Sequence, residues 1–263
     1  LGRVGYASSQ ALQRSLAAQV RSGVRGDTLL LLEHPPVFTL GRVQQSAANV
    51  LASPEEIAAA GASVHQSERG GNVTFHGPGQ LVAYPILDLG RFRKSVHWYV
   101  EAARPAGGGG LRAPRFSPAP SFRVGARGYA HRHGRRLWGV CEARRRRRDG
   151  RLGDGPEIGA IGVSVSRWVT SHGVALNAET DLRFFDMIVP CGLHHNTRVT
   201  SLSREVGRGV SVSEAAPPFL DAFARIFECE LVDAPEMSLE EEVCQAAEAV
   251  AAPAPAAASS APS

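Results

Sequence analysis

Apolar residues recur at helical spacing near the start of the chain. Leu12, Leu16 and Val20 lie one turn apart and predict a helix over 7–24. Residues 28–32 then form an unbroken apolar run, the pattern of a buried strand. Glu33-His34-Pro35-Pro36 closes that run, and 37–40 reads as a second short strand. Ser53-Pro54-Glu55-Glu56 is a helix start: serine can cap, and proline suits the first helical position. That helix ends near Gly61, and 62–66 is another strand. The run 81–87 (LVAYPIL) is a strand in which Pro85 predicts an edge or a bulge, because proline donates nothing to a ladder. A helix follows over 96–103. Further on, 158–165 and 174–177 read as strands, 181–187 as a short helix and 199–202 as a strand. The last helix starts at Ser213, with Phe219, Leu220, Phe223, Ile226 and Phe227 as a one-sided stripe that belongs to a core. No apolar run reaches the length of a membrane-spanning helix.

Between 104 and 156 this patterning stops. The segment is Gly, Pro, Ala and Arg with little period, and includes Gly107-Gly108-Gly109-Gly110 and the run Arg144-Arg145-Arg146-Arg147-Arg148. The net charge of +4 is therefore uneven, since 14 of the 28 arginines fall between Arg104 and Arg151. Such a composition cannot bury enough apolar surface to order itself. It reads as a disordered basic insertion, as a nucleic-acid or membrane contact, or as a frame-shifted stretch. The third is preferred, and the absence of interleaved aromatics argues against nucleic acid. Beyond Asp233 the chain is Ala, Pro, Ser and Glu rich, a solvated tail after a single domain over 1–232. Starting at Leu1, it reads as a partial or processed form from which a targeting peptide could have been removed. Cys141, Cys191, Cys229 and Cys244 show no metal-ligand spacing and no dense disulfide framework, which fits a reducing compartment.

Two stretches carry candidate chemistry. Arg69-Gly70-Gly71-Asn72-Val73-Thr74-Phe75-His76-Gly77-Pro78-Gly79-Gln80 is glycine-rich, but it has neither GxxxxGK[ST] nor GxGxxG, which excludes nucleotide phosphate binding. Its glycines permit a tight hairpin, a close backbone approach to a ligand, or both. His76 within it is a candidate for a spare proton acceptor, whereas His34 reads as a turn residue bonded to backbone. The second stretch is Ile188-Val189-Pro190-Cys191-Gly192. Proline restricts the backbone before the cysteine and glycine frees it afterwards. A thiol on such a bend suits acyl transfer, with backbone donors aimed at an oxyanion. A buried structural cysteine is the other reading.

Taken in order, RGGNVTFHGPGQLVAYPILDL, GAIGV, SHGVALN, IVPCGL and VTSLS resemble the lipoyl(octanoyl) transferase family, over 28–104 and 158–232, with an ending like that of the mitochondrial branch. The resemblance implies an α+β fold of the biotin/lipoate ligase type, a mixed β-sheet with helices packed on one side. It implies transfer of octanoyl from octanoyl-acyl carrier protein to a lysine of lipoyl domains, in 2-oxoacid dehydrogenase E2 subunits and the glycine cleavage H protein. Cys191 becomes the acyl-thioester nucleophile. No metal or organic cofactor is needed, because a thioester is already activated, and the chain is expected to act as a monomer in the mitochondrion, or in the cytoplasm if bacterial. Arg69 to His76, Ala160, Ile161, Gly162, Gly173, Val174 and Ala175 line the substrate site, with the Glu33-to-Pro36 turn beside it. Oxyanion donors are placed near Gly77 or Gly192. The family's Tyr-Thr-Gly-Val-Trp-like strand is missing, with Trp138-Gly139-Val140 at best a remnant.

One departure is sharp. The family places a lysine 34 residues before the cysteine to lower the thiol pKa and later to act as base, and here that position is Glu157. Lys94, the only lysine, does not match it. A carboxylate suppresses a nearby thiolate, though it can accept a proton from an amine. His172 and His76 are the other bases to consider. The alternatives are thus an impaired acyl- or carrier-protein-binding relative and a thioester hydrolase. An ATP-using lipoate–protein ligase is disfavoured, since those relatives lack a cysteine at this place.

Overall fold

The computed structural model of the chain describes residues 2–44, 46–103, 122–126, 136–146, 152–190, 199–233 and 241; for 101, 122–126, 136–146 and 152–156 it describes the backbone alone. Helix α1 (Tyr6–Ser22) leads into β1 (Thr28–Leu32) and β2 (Val37–Leu40). Helix α2 (Pro54–Ala59) follows, and Ser53 caps it as expected, its side chain accepting from the Glu56 amide; the Glu56 carboxylate also accepts from the Ser53 amide, which makes the cap reciprocal. Next come β3 (Ser63–Gln66), β4 (Thr74–His76), β5 (Gln80–Ile86) and α3 (Val96–Ala103). Strands β6 (Phe122–Ala126), β7 (Arg136–Arg146), β8 (Leu152–Ser166) and β9 (Val169–Asn177) are succeeded by a 3-10 turn (Leu182–Met187) and by α4 (Leu202–Val206) and α5 (Val212–Ile226).

Six strands form one sheet in the order β1-β5-β9-β8-β7-β6, every neighbouring pair antiparallel. The mixed character sits in a second sheet, β3-β2-β4, where β2 runs parallel to β3 and antiparallel to β4. Helices cover both faces of the large sheet, not one. Leu12, Leu16 and Val20 of α1 pack with Leu30, Leu32, Val82, Tyr84 and Ile86. The alternate residues Leu31 and Leu81 pack with Ala215 and Phe219 of α5. Strand side chains point alternately to the two faces, so a central strand buried at every position requires a cover on each side.

Three further expectations change. Pro85 is neither at an edge nor in a bulge, because β5 lies between β1 and β9. The ladder adapts around the missing N–H. Opposite it, His172 adopts a left-handed φ of 57° and turns its amide to Gln13 Oε1 at 2.7 Å. The hydroxyl of Thr170 donates to the Pro85 carbonyl at 2.6 Å. Residues 199–202 form no strand: Val199 makes a single bridge to Glu157, and Ser201 caps α4. Within 104–156, where the pattern left no element, β6, β7 and the start of β8 pair through their backbones, with Trp138-Gly139-Val140 on β7 opposite Ser164, Val163 and Gly162. Backbone pairing requires no apolar period. Residues 104–121, 127–135 and 147–151, and most of the tail beyond 233, lie outside the described residues.

Candidate active site

The loop Arg69 to His76 lies between the two sheets. Its Gly70 amide donates to the Val163 carbonyl of β8 at 3.1 Å, and Val43 donates to the Gly71 carbonyl at 3.1 Å. Gly162 is needed where this loop meets β8, since a Cβ there would come within 2.8 Å of Arg69 Cδ. Arg69 could not yield. Its guanidinium donates to the Thr39 carbonyl at 2.6 Å, to the Thr39 hydroxyl at 2.9 Å and to the Gly70 carbonyl at 3.0 Å. Replacing Arg69 by methionine strands the Thr39 acceptors and is expected to cost about 2–3 kcal/mol of stability, read from the urea midpoint at constant slope.

A cavity of about 30 Å³ opens beside the guanidinium, lined by Tyr6, Arg69, Thr74, His76, Val82, Tyr84, Ala160 to Gly162 and His172 to Ala175. A second, of about 20 Å³, is lined by Thr74, Gln80, Glu157, Gly159, Ala160, Ala175, Asn177, Phe185, Pro190 and Val199. The two share Thr74, Ala160 and Ala175 in their walls and so lie side by side. Arg69, Thr74, His76, Ala160, Ile161, Gly162, Gly173, Val174 and Ala175 all line the larger cavity. Val73 and Phe75 do not. Alternation along β4 sends Thr74 and His76 to the cavity and turns Phe75, with Val73 before it, into a core with Phe38, Phe185 and Ile188. Gly70, Gly71 and Asn72 brace the loop and line neither cavity, and Gly77 is likewise absent from both linings. Tyr6, Val82, Tyr84, Gln80 and Asn177 join the site unforeseen. Only the spacing of Val82 and Tyr84 along one strand face carried any signal for them.

Cys191 and Gly192 lie outside the described residues, but both flanks of their segment are held. On one side, Val189 donates to the Asn49 carbonyl at 2.7 Å, and Leu51 to the Met187 carbonyl at 2.9 Å. On the other, the Thr200 amide donates to the Glu157 carbonyl at 2.7 Å. Pro190 and Val199 line the cavity that Glu157 lines, and Glu157 itself is 4% exposed.

Behind the larger cavity lies a buried set of histidines and tyrosines. His34 Nδ1 meets the Val4 carbonyl at 2.6 Å, which can only accept, so Nδ1 carries the hydrogen. Its Nε2 then accepts from the Tyr84 hydroxyl at 2.8 Å. The expected bond from His34 to backbone is thus present. Burial drives the His34 ring down to about 4, against the pull of the Val4 bond. Burial, with the Arg69 charge second, drives His172 to about 3. His76 falls well below its ordinary value through burial, then His34 and Arg69. Burial raises Tyr84 far above the usual phenol range. All three rings are neutral near pH 7. Tyr84→Phe leaves His34 Nε2 a buried acceptor without its donor and should lower unfolding stability by about 1–3 kcal/mol, measured by thermal or urea denaturation.

A family profile described as the lipoyl protein ligase A/B catalytic domain matches residues 5–105 and 134–224, so the match resumes within the arginine-rich segment. The octanoyltransferase of Solibacter usitatus is 41% identical over 237 residues, covering 88% of this chain and 93% of that protein. The mitochondrial octanoyl-[acyl-carrier-protein]:protein N-octanoyltransferase of Danio rerio is 40% identical over 238 residues, covering 88% and 92%. The chain spans 60% of the longer Myxococcus xanthus octanoyltransferase, at 39% identity. Among solved structures, a lipoate-protein ligase A bound with ATP superposes with a TM-score of 0.62 at 14% identity, covering 92% of this chain and 90% of that one. The bipartite lipoate protein ligase of Thermoplasma acidophilum does so at 0.57 and 14%, covering 93% and 90%. These structural likenesses carry the fold alone, while the sequence matches carry the lineage: the chain belongs to the octanoyltransferases of the lipoyl protein ligase A/B catalytic family.

Proposed function

We propose that the protein transfers an octanoyl group from octanoyl-acyl carrier protein to the lysine amine of a lipoyl domain, through a thioester on Cys191. The observation that carries this is a pair of cavities that share Thr74, Ala160 and Ala175, one of them walled by Pro190. The residue before the cysteine lines one end, and a slot between the sheets continues from there past Thr74 toward Arg69. Neither cavity alone admits an eight-carbon chain, so the proposal requires them to work as one slot with Thr74 at the join. The Cys191 thiolate attacks the thioester carbonyl, and the carrier's thiol leaves with a proton. The acceptor amine then attacks the new thioester, its proton goes to a base, and the Cys191 sulfur departs. Among the described residues, Glu157 is the only titratable side chain lining the Pro190 cavity, and we assign it as the base for the second step. The lipoyl domains of 2-oxoacid dehydrogenase E2 subunits and of the glycine cleavage H protein are the acceptors this chemistry suits. We place the reaction in the mitochondrion if the source is eukaryotic and in the cytoplasm if it is bacterial, with the protein acting as a monomer.

Glu157 also favours a second reading. A buried carboxylate opposes thiolate formation nearby, so the chain could hold an acyl chain or carrier without turning it over. Intact-protein mass spectrometry after mixing with octanoyl-acyl carrier protein separates the two. An octanoyl adduct that is absent in Cys191→Ser, and that passes to a lipoyl domain, supports transfer. Carrier binding without an adduct supports the second reading. Release of free octanoate without an acceptor would identify a hydrolase instead.

A further inference from the structure

Gln80 and Asn177 are 2% and 1% exposed, sit opposite each other in the β5–β9 register, and take no part in the steps above. Their hydrogen bonds fix the orientation of both amides. Gln80 Nε2 donates to the Phe75 carbonyl at 3.1 Å and to Asn177 Oδ1 at 2.8 Å. The Phe75 carbonyl can only accept, so Gln80 Oε1 is the end that meets His76 Nδ1, at 2.7 Å, and His76 must be the donor there. Nε2 of His76 is left as the acceptor on a ring that lines the larger cavity. At the other end, Asn177 Nδ2 donates to the Thr200 carbonyl at 3.0 Å, while the Thr200 amide is tied to the Glu157 carbonyl at 2.7 Å. Thr200 is thereby clamped between β9 and β8, one residue after Val199 of the cavity wall.

We infer that Gln80 and Asn177 form a two-amide bridge that positions both ends of the slot. It holds His76 in a single tautomer at the Arg69 end, and it anchors residues 199–201, which follow the Cys191 segment, against Glu157 at the other. The functional half of this inference rests on the acyl-transfer reading; the geometric half does not. An amide pair suits the task because it stays uncharged at every working pH and donates and accepts at once.

Two substitutions in the full chain separate the halves. Gln80→Met removes the acceptor for His76 and spares the Asn177–Thr200 bond. Asn177→Asp keeps an acceptor for Gln80 and loses the donor to Thr200. In ¹⁵N-histidine spectra, the parent and Asn177→Asp should show His76 protonated at Nδ1, whereas Gln80→Met should lose that signature. Exchange of the Thr200 amide should quicken about tenfold or more in Asn177→Asp and stay at the parent rate in Gln80→Met. An unaltered His76 spectrum in Gln80→Met, or unaltered Thr200 exchange in Asn177→Asp, overturns the bridge. Should Gln80→Met fail to fold, Gln80→Glu supplies a charged acceptor of the same size and must raise the His76 pKa, an unchanged value again overturning it. Carried into a Glu157→Lys chain, Asn177→Asp should slow acylation at saturating octanoyl thioester by about tenfold to a hundredfold, and equal rates would sink the functional half. Failure of the parent chain to take up octanoate would refute the acyl-transfer reading and leave the spectra and exchange rates to judge the bridge.

Discussion

Glu157→Lys should speed octanoylation of Cys191 roughly a hundredfold or more, the usual reach of a correctly placed acid–base group. Glu157 is 4% exposed and shares a cavity wall with Pro190, so little water screens a charge placed at 157. The parent carboxylate disfavours a thiolate in that place, and an ammonium favours it. A free thiol is only a few per cent ionised near neutrality. Lowering its pKa from about 8.5 by two units would raise the thiolate fraction roughly twenty-five-fold at pH 7, and the lysine could then take the proton of the attacking amine. The pH–rate profile should move with it, the variant gaining most at low pH and converging on the parent in alkali as the parent thiol ionises unaided. Single-turnover adduct formation followed by mass from pH 5.5 to 9 reads both effects. Equal rates across that range would show that the charge at 157 does not govern the thiol.

The second large effect is acid sensitivity of the fold. His34 is held at about 4 and His172 at about 3, both by burial first, against an ordinary value near 6.5. Their folded pKa values lie below the unfolded ones, so the unfolded chain takes up protons that the native core excludes. This stability is complete above about pH 6.5 and is lost as pH falls toward the folded values, at about 1.4 kcal/mol per pH unit for each ring. From pH 7 to 4.5 the two together remove about 5 kcal/mol, comparable with the whole stability of many domains. His76, shifted the same way, adds to the slope. Urea unfolding at half-unit steps should show a steep decline below pH 6.5 that flattens in His172→Gln. Stability that stayed level between pH 7 and 5 would contradict the neutral, buried assignment of these rings.

What the sequence determined by itself was local or motif-borne. The fourfold spacing of Leu12, Leu16 and Val20 is a complete instruction for a helix with one buried face, and α1 follows it. The cap on α2 needs only residues three apart, Ser53 and Glu56. The motif order groups Arg69, Thr74, His76 and the 160–162 and 173–175 backbone, and these residues line one cavity. What only the tertiary structure decided depended on which strands meet. That β5 is central, and Pro85 tolerated in it, follows from β1 and β9 closing on its two sides and from His172 turning its amide away to Gln13. Val73 and Phe75 turn away from the cavities because a strand has two faces, and the pattern alone could not say which face met them. The arginine-rich stretch carries no apolar period, yet β7 pairs along β8, since a ladder is made by backbone groups that every residue but proline supplies in full. The Gln80–Asn177 bridge joins residues 97 apart in sequence. No local pattern encodes such a contact, because it exists only once the sheet has brought the two strands side by side.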